Sequence, residues 1–428
     1  MELERFVTTL AWEDLRPETR EMARRCLFDL LGCALAGTRA DGFAALADGI
    51  KAMGGDGDAS VWGTGVRTAL PWSIFLNAYT ASFFDMDDGH RLAQGHAGAA
   101  VIPAALAAAV NVGASGKALL EAIVTGYEVA VRSALVMRGQ GGPRKGSGAW
   151  VVPGVAAAVS RLIGLDPGRI LDAVGLAEYY ALQAPQDRSA SFPSPMKEGL
   201  SWGAYTGYVA AFLTSHGFRA MRPQLADSSF VDDLSKNWEI EKVYFKRYAC
   251  CRWAHPALDG IGQILTKEAA GPEEIERIRI RSFEKAILLD RRNPKDTLEA
   301  VYSIPFAVGA FLIHGRLTPT EVSGENLRDP RVTGLSRRVV LEADKGFTAA
   351  FPARCLQQIK VTFRDGRFCE SGVLSAKGDP ADPLSRDELL AKFRMLAEPR
   401  LGSRWQEIPA MVDRLEEGRA ADLSSLLR

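Results

Sequence analysis

The sequence predicts a mainly α protein with a smaller α+β domain. A large all-helical domain is expected over residues 1–240, completed by C-terminal helices over 385–428, and the α+β domain over 245–378. Three observations carry this. The chain has 428 residues, more than one hydrophobic core usually serves. Up to about residue 240 the apolar residues recur at helical spacing, with scarcely a convincing strand. After Asn237 the pattern switches to period two, in IERIRIRSF, RRVVLEA and QIKVTF, the alternation of half-buried strands.

In chain order, Pro17 opens a helix through CLFDLLGCALAG. Leu27, Leu30, Leu31 and Ala34 form its apolar face and Gly37 closes it. Asp29 within that face reads as a carboxylate paired inside helix packing. ALADGIKAM is a short helix, and SVWGTGVRTAL is an irregular or β-flavoured link. Its GTGVRT lacks the third glycine and the βαβ setting of a dinucleotide fingerprint. PWSIFLNAYTASFF is helical, as is the alanine-rich stretch from about Ala99. Ser115 caps the next helix. A glycine-rich loop over 138–150, with Arg144 and Lys145, reads KGS and so is not a phosphate-binding P-loop. Two further helices meet at Asp166-Pro167. APQDRSASFPSP is expected to be irregular and to deliver Lys197 to the start of another helix. In the second half, TLEAVYSIPFAVGAFLIHG reads as one helix, and Asp365-Gly366 as a hairpin turn.

Lysine plus arginine equals aspartate plus glutamate, 52 each, so the basic stripe of a nucleic-acid binder is not expected. The longest apolar run is too short to span a membrane and contains Pro103. The six cysteines show no CxxC spacing, the pattern of reduced thiols. The first residues, MELERFVTTLAWEDL, lack a signal-peptide pattern, and a cytoplasmic location is expected.

The stretch with most chemistry is NAYTASFFDMDDGHRLAQGHAGAAVIPAALAAAV. Asp85, Asp87, Asp88, His90 and His96 lie together between two apolar helices, with Gly89, Gly95 and Gly98 at the turns. Titratable groups beside apolar walls have shifted pKa values, as acid–base work requires. On residue types alone, a solvated acidic loop with two incidental histidines explains the cluster equally well. The same side chains could also ligate a divalent metal through oxygen and imidazole.

The ordered blocks CLFDLLGCALAG, FFDMDDGH, GHAGAAVIPAALA, GYEVAVRSAL, GVAAAVSRLIGLDPGRILDAVGLA, GAYTGYVAAFLTSHGF, FKRYACCRWAHPALDG and EAVYSIPFAVGAFLIHG resemble the MmgE/PrpD family over nearly the whole chain. The resemblance implies a helical domain with an α+β lid, a homodimer, and an active site in the cleft between domains. It also implies chemistry without cofactor or metal on a small polycarboxylate. Carried over by motif, Asp85 matches the first aspartate of D-x-D-D, and His96 the histidine of H-P-[SG], with Ala97 in place of proline. Lys197 matches the lysine before the GxAA-like helix. Lys246 and His255 match the later lysine and histidine, with eight residues between them. Asp85, His96, Lys197 and Lys246 are the expected catalytic groups. Asp88, His90, His255 and, in the glycine loop, Lys145 or Ser147 are the expected substrate contacts.

The sequence departs from the family where Gly89 replaces a threonine and Phe306 a tyrosine of decarboxylase-like members. Lys145, Gly146 or Ser147 stands where a mid-chain histidine is usual, and Cys251 where some members have another. The base and cationic anchors remain, so a dehydratase-like lyase acting by proton abstraction α to a carboxylate is the leading expectation. Epimerisation of an iminodisuccinate-like dicarboxylate, cis-aconitate-type decarboxylation, or carboxylate binding without catalysis are the alternatives. His96 is expected to be a neutral base kept so by a helix N-terminus. Lys197 is expected to stay charged outside deep burial and to meet His96 across one cleft.

Overall fold

The computed structural model describes residues 2–428, and it is mainly α with a smaller α+β part. The helical body is built from Pro17–Gly37, Leu70–Ser82, Gly98–Val112, Gly116–Gly139, Ser147–Leu162, Pro167–Tyr179 and Leu200–Ser215. Ser147–Leu162 packs against four of these, and its Val151, Val152, Val155, Ala156 and Val159 are fully buried. Small side chains on nearly every face let its neighbours surround it. Pro17 takes the first helical position, where an amide hydrogen would have no partner. At the other end of that helix a Cβ on Gly37 would stand 1.9 Å from the Thr80 carbonyl oxygen, so only glycine allows this crossing.

The C-terminal helices return to the body. Arg386–Leu401 begins with a capping box between Ser385 and Glu388. Its Phe393 stacks on Phe28 with ring centroids 4.2 Å apart. Leu389, Phe393, Ile408 and Leu423 share the core of the helical body.

The second core lies beneath a four-stranded sheet in the order Val339–Ala343, Ile275–Ser282, Gln358–Phe363, Phe368–Glu370. The first pair is parallel and the others antiparallel. Ile278 and Ile280 face Val361 and Ile359, all fully buried, while Arg279 and Arg281 face out. The alternation slips at Glu276-Arg277, where the register with the neighbouring strand shifts. This core also takes in Cys33, Ala36, Tyr79, Phe83, Phe84 and Met86 from the helical body. The chain from Asp85 to His96 therefore runs along the seam between the two cores. All six cysteines are free and buried. No helix among the described residues is long and apolar enough to cross a membrane.

Three local expectations are corrected. The segment expected to be irregular contains a short helix, Gln186–Ser191, which follows Pro185. The helix expected over 297–315 is two, Thr297–Val301 and Ile304–His314. Ser303 caps the second by accepting from the Phe306 amide, with Pro305 in its first turn. The glycine loop is shorter than expected, because one helix runs to Gly139 and the next starts at Ser147.

A buried ion pair ties the two ends of the body to the seam. Lys392 Nζ donates to Asp29 Oδ1 at 2.6 Å and to the Met86 carbonyl at 2.7 Å. Burial works against its charge, but Asp29 outweighs burial and holds the ammonium above its usual range. Lys392→Met would leave Asp29 buried without a cation. It should cost roughly 3–5 kcal/mol, read as a lowered Tm and denaturation midpoint. An unchanged midpoint would show that the pair contributes nothing.

Candidate active site

The cleft at the seam gathers side chains from six stretches of chain, two of which give Gln186, Asp187 and Ala190, and Phe351 and Pro352. Asp85, His90, Arg91 and His96 come from the segment between the Leu70–Ser82 and Gly98–Val112 helices. Glu198 comes from the turn before Leu200–Ser215, Tyr244, Lys246, Cys251 and Arg252 from the link between the cores, and Tyr302 from the helix break. A two-residue antiparallel pairing of Gly89 with Tyr244 and His90 with Val243 fastens the first stretch to the third. Six non-glycine residues among those described have positive φ, and four of them, Asp85, Gln94, Lys197 and Glu198, lie here. Such conformations cost about 1–3 kcal/mol each and cluster where a site holds side chains in place.

One carboxylate oxygen is the meeting point. Lys197 Nζ donates to Asp85 Oδ1 at 2.5 Å; Lys246 Nζ lies 3.2 Å away and His96 Nε2 3.4 Å away. Burial opposes the charge on Asp85, but Lys197, then Lys246 and His96 outweigh it and hold the carboxyl well below its usual range. Lys197 is 3 % exposed rather than outside deep burial. Burial would neutralise it, and Asp85 keeps it charged instead. It also donates to Tyr302 Oη at 3.0 Å.

His96 shows its proton arrangement. Nδ1 lies 2.9 Å from the Asp88 carbonyl oxygen, which can only accept, so Nδ1 carries a proton. Nε2 is then the nitrogen that gains and loses one. Asp87 Oδ2 stands 3.2 Å from Nδ1. Burial pushes the imidazole down, but the charge of Asp87, with Asp85 adding to it, raises its pKa above the usual value. Against the expected neutral base, two carboxylates within 3.4 Å favour the protonated imidazole, opposing the partial charge of a helix terminus.

The other expected residues are spread around this centre. His90 lines the cleft; its Nδ1 accepts from the Ala93 amide and its Nε2 faces Glu239 at 3.2 Å. Burial lowers its pKa. Asp88 lies behind His96, and a Cβ on Gly98 would come within 2.2 Å of its Oδ1 and 2.1 Å of Tyr127 Oη. Burial, then the charge of Asp87, pushes Asp88 up to about 7. Ser147 is also behind the wall, donating to Glu198 Oε2 at 2.6 Å and accepting from the His96 amide at 3.2 Å. His255 is fully buried, with Nε2 3.2 Å from the Cys250 carbonyl and its ring edge-on to Tyr248, outside the cleft lining. Lys145 lines a neighbouring cavity.

Residues not expected from sequence complete the wall. Arg91 and Arg252 share Asp379, at 2.6 and 3.0 Å, and both lie over the Tyr244 ring. Two guanidiniums on one carboxylate leave a net positive charge. Tyr302 enters because the helix breaks beside it, while Phe306 sits in the second core. Ser303 and Pro305 were the sequence signal for that break. A Cβ on Gly89 would meet Tyr244 Oη at 2.4 Å, so the tyrosine fills the space of the threonine expected there.

Asp85, Asp87 and His96 offer ligand atoms within 4.8 Å of one another, a spacing a divalent ion could use. Lys197 and Lys246 already surround the Asp85 oxygen, and their like charge opposes a further cation. The cleft thus sets Lys246, Arg91 and Arg252 beside His96, together with the carboxylates of Asp85, Asp187 and Glu198.

The chain belongs to the MmgE/PrpD family: the N-terminal domain model matches residues 1–241 and the C-terminal domain model residues 248–417. It is 22% identical over 467 residues to a cis-aconitate decarboxylase of Aspergillus terreus, covering 99% of this chain and 94% of that protein. It is 26% identical over 420 residues to cis-aconitate decarboxylase of Homo sapiens, covering 92% and 86%. A 2-methylcitrate dehydratase of Yarrowia lipolytica is 30% identical over 108 residues, 24% of this chain and 21% of that protein.

The charge state of His96 is open to direct measurement. Asp87→Asn should lower the His96 pKa, followed by the histidine C2 proton shift in an NMR pH titration. A His96 pKa that is unchanged or higher in the variant would show that Asp87 does not hold the imidazolium.

Proposed function

We propose that this chain is a lyase for a small di- or tricarboxylate, and that it removes a carboxyl group as CO2. The observation that carries this is His96, whose Nε2 stands in a cleft lined by Lys246, Arg91 and Arg252 and whose pKa the nearby Asp87 and Asp85 raise. Decarboxylation needs no base to start. The C–C bond breaks, CO2 leaves, and the electron pair stays on carbon. Lys197 and Lys246 stabilise that negative charge, the larger share of catalysis in a dry site. The pair then takes the Nε2 proton, and the imidazole recovers one from solvent. Lys246 Nζ has no hydrogen-bond partner of its own, so its donors are available to a substrate carboxylate. Tyr302 accepts from Lys197, a group that cannot accept, so its own hydroxyl proton is free to donate. The near full-length similarity to decarboxylases supports the same reading.

Elimination of water is the second reading, favoured by Glu198. Ser147 engages only its Oε2, which leaves Oε1 as a carboxylate oxygen able to take a proton. His96 would then protonate the departing hydroxyl. Incubation with a panel of polycarboxylates in D2O separates the readings. CO2 release with one deuterium on the carbon that lost it is expected. Loss of water without CO2 selects elimination. Exchange without either, or no turnover at all, contradicts a lyase.

The raised His96 pKa fixes the sign of the pH dependence. The protonated form is the active one, so kcat/KM should be full below that pKa and fall as pH rises through it. His96→Gln should lower kcat by about 10²–10⁴-fold and remove this alkaline limb. A profile that instead loses activity as pH falls would make His96 a base.

A further inference from the structure

Next to the catalytic cleft, and sharing Gln186 and Pro352 with it, lies a cavity of about 370 Å³. Its wall is the glycine loop and the end of the Gly116–Gly139 helix on one side, with Trp150 and Gln183 on the other. Three cations line it, Arg138, Arg144 and Lys145, and no aspartate or glutamate is among its lining residues. None of the three has an ion pair among the described residues, whereas Arg91, Arg132 and Arg161 in the same chain each sit against a carboxylate. Arg144 donates to the Gln94 side chain, and Lys145 Nζ reaches only the Gln183 carbonyl at 3.5 Å. Arg138 Nη2 and Trp150 Nε1 are shielded from solvent and have no hydrogen-bond partner. Burial, with the like charge of Arg144 added, pulls Arg138 down to about 10.

Unpartnered buried donors and uncompensated like charges both cost free energy. A structure keeps such a set together when an anion completes it, because guanidinium and indole N–H groups match the oxygens of a carboxylate or phosphate. The loop is also held in shape rather than loose. The Gly146 amide donates to the Ala184 carbonyl at 2.9 Å and the Gln186 amide to the Arg144 carbonyl at 2.8 Å. The cations are therefore displayed from a braced wall.

We infer that this cavity is a second oxyanion site, separate from the Asp85 centre, which binds a carboxylate or phosphate group through Arg138, Arg144 and Lys145. The anion is either the far end of a substrate that reaches out of the cleft or a separate small dianion. The site stands whether or not the cleft decarboxylates, since its test reads binding.

Inorganic phosphate is titrated into the 428-residue chain by isothermal calorimetry. Saturable binding is expected. Arg138→Gln should weaken it about tenfold or more, and Lys246→Met, in the cleft, by less than twofold. Arg144→Gln, at a half-buried position, should weaken it likewise and carries the test should Arg138→Gln not fold by circular dichroism. Phosphate that raises the KM of a turned-over polycarboxylate identifies the anion as the substrate's far end. Phosphate that binds without changing KM identifies a separate ligand. Either result supports the site. No saturable binding in the unmodified protein would overturn it. So would binding that Lys246→Met abolishes and the folded arginine variants leave intact.

Discussion

The Asp85 carboxylate is the constraint on which the site depends. Lys197 and Lys246 from distant stretches, and His96 from the same segment, converge on its Oδ1. Each is buried, and each would be too costly to keep charged without a carboxylate nearby. The backbone shows the same priority, because both Asp85 and Lys197 adopt positive φ to bring their side chains into contact. Fold and chemistry are joined here. The oxygen that draws the seam segment to the turn before Leu200–Ser215 also holds the ammonium of Lys246, which lines the cleft.

A second layer keeps this centre in register. Lys392 reaches from the C-terminal helix to Asp29 and to the carbonyl of Met86, between the two aspartates that hold His96. Asp87 and the Asp88 carbonyl orient the imidazole from one side, and Ser147 accepts the His96 amide from the other. The two cores meet along the same seam, so the cleft is formed by both. Lys246, Arg91 and Arg252 line the cleft that both cores form.

Much of the fold was legible in sequence because periodicity reports burial. The leucines of Pro17–Gly37 and the alternating isoleucines of Ile275–Ser282 read directly as helix and strand. The break at Tyr302 was missed because the apolar residues continue through it, while a capping serine and a proline decide the geometry. The aspartates and histidines of the seam were visible as a cluster. Lys197 and Lys246 were visible only through motif resemblance, since nothing local marks a lysine whose partner lies 112 residues earlier. Charge states were not legible at all. The histidine was expected to be neutral from its place before a helix, and two carboxylates brought close in space push its pKa the other way. Arg91 and Arg252 were missed for the same reason: their shared Asp379 is far away in the chain.

The central claim is that Asp85 organises the cations that do the chemistry. Steady-state kinetics of Asp85→Asn, on whichever polycarboxylate the protein turns over, test it most directly. Asparagine keeps the shape and removes the charge shared by Lys197, Lys246 and His96. The expected result is a folded protein whose kcat falls by about 10²-fold or more, the scale of a lost preorganised electrostatic contact. A folded Asp85→Asn variant with unchanged kcat would contradict the account.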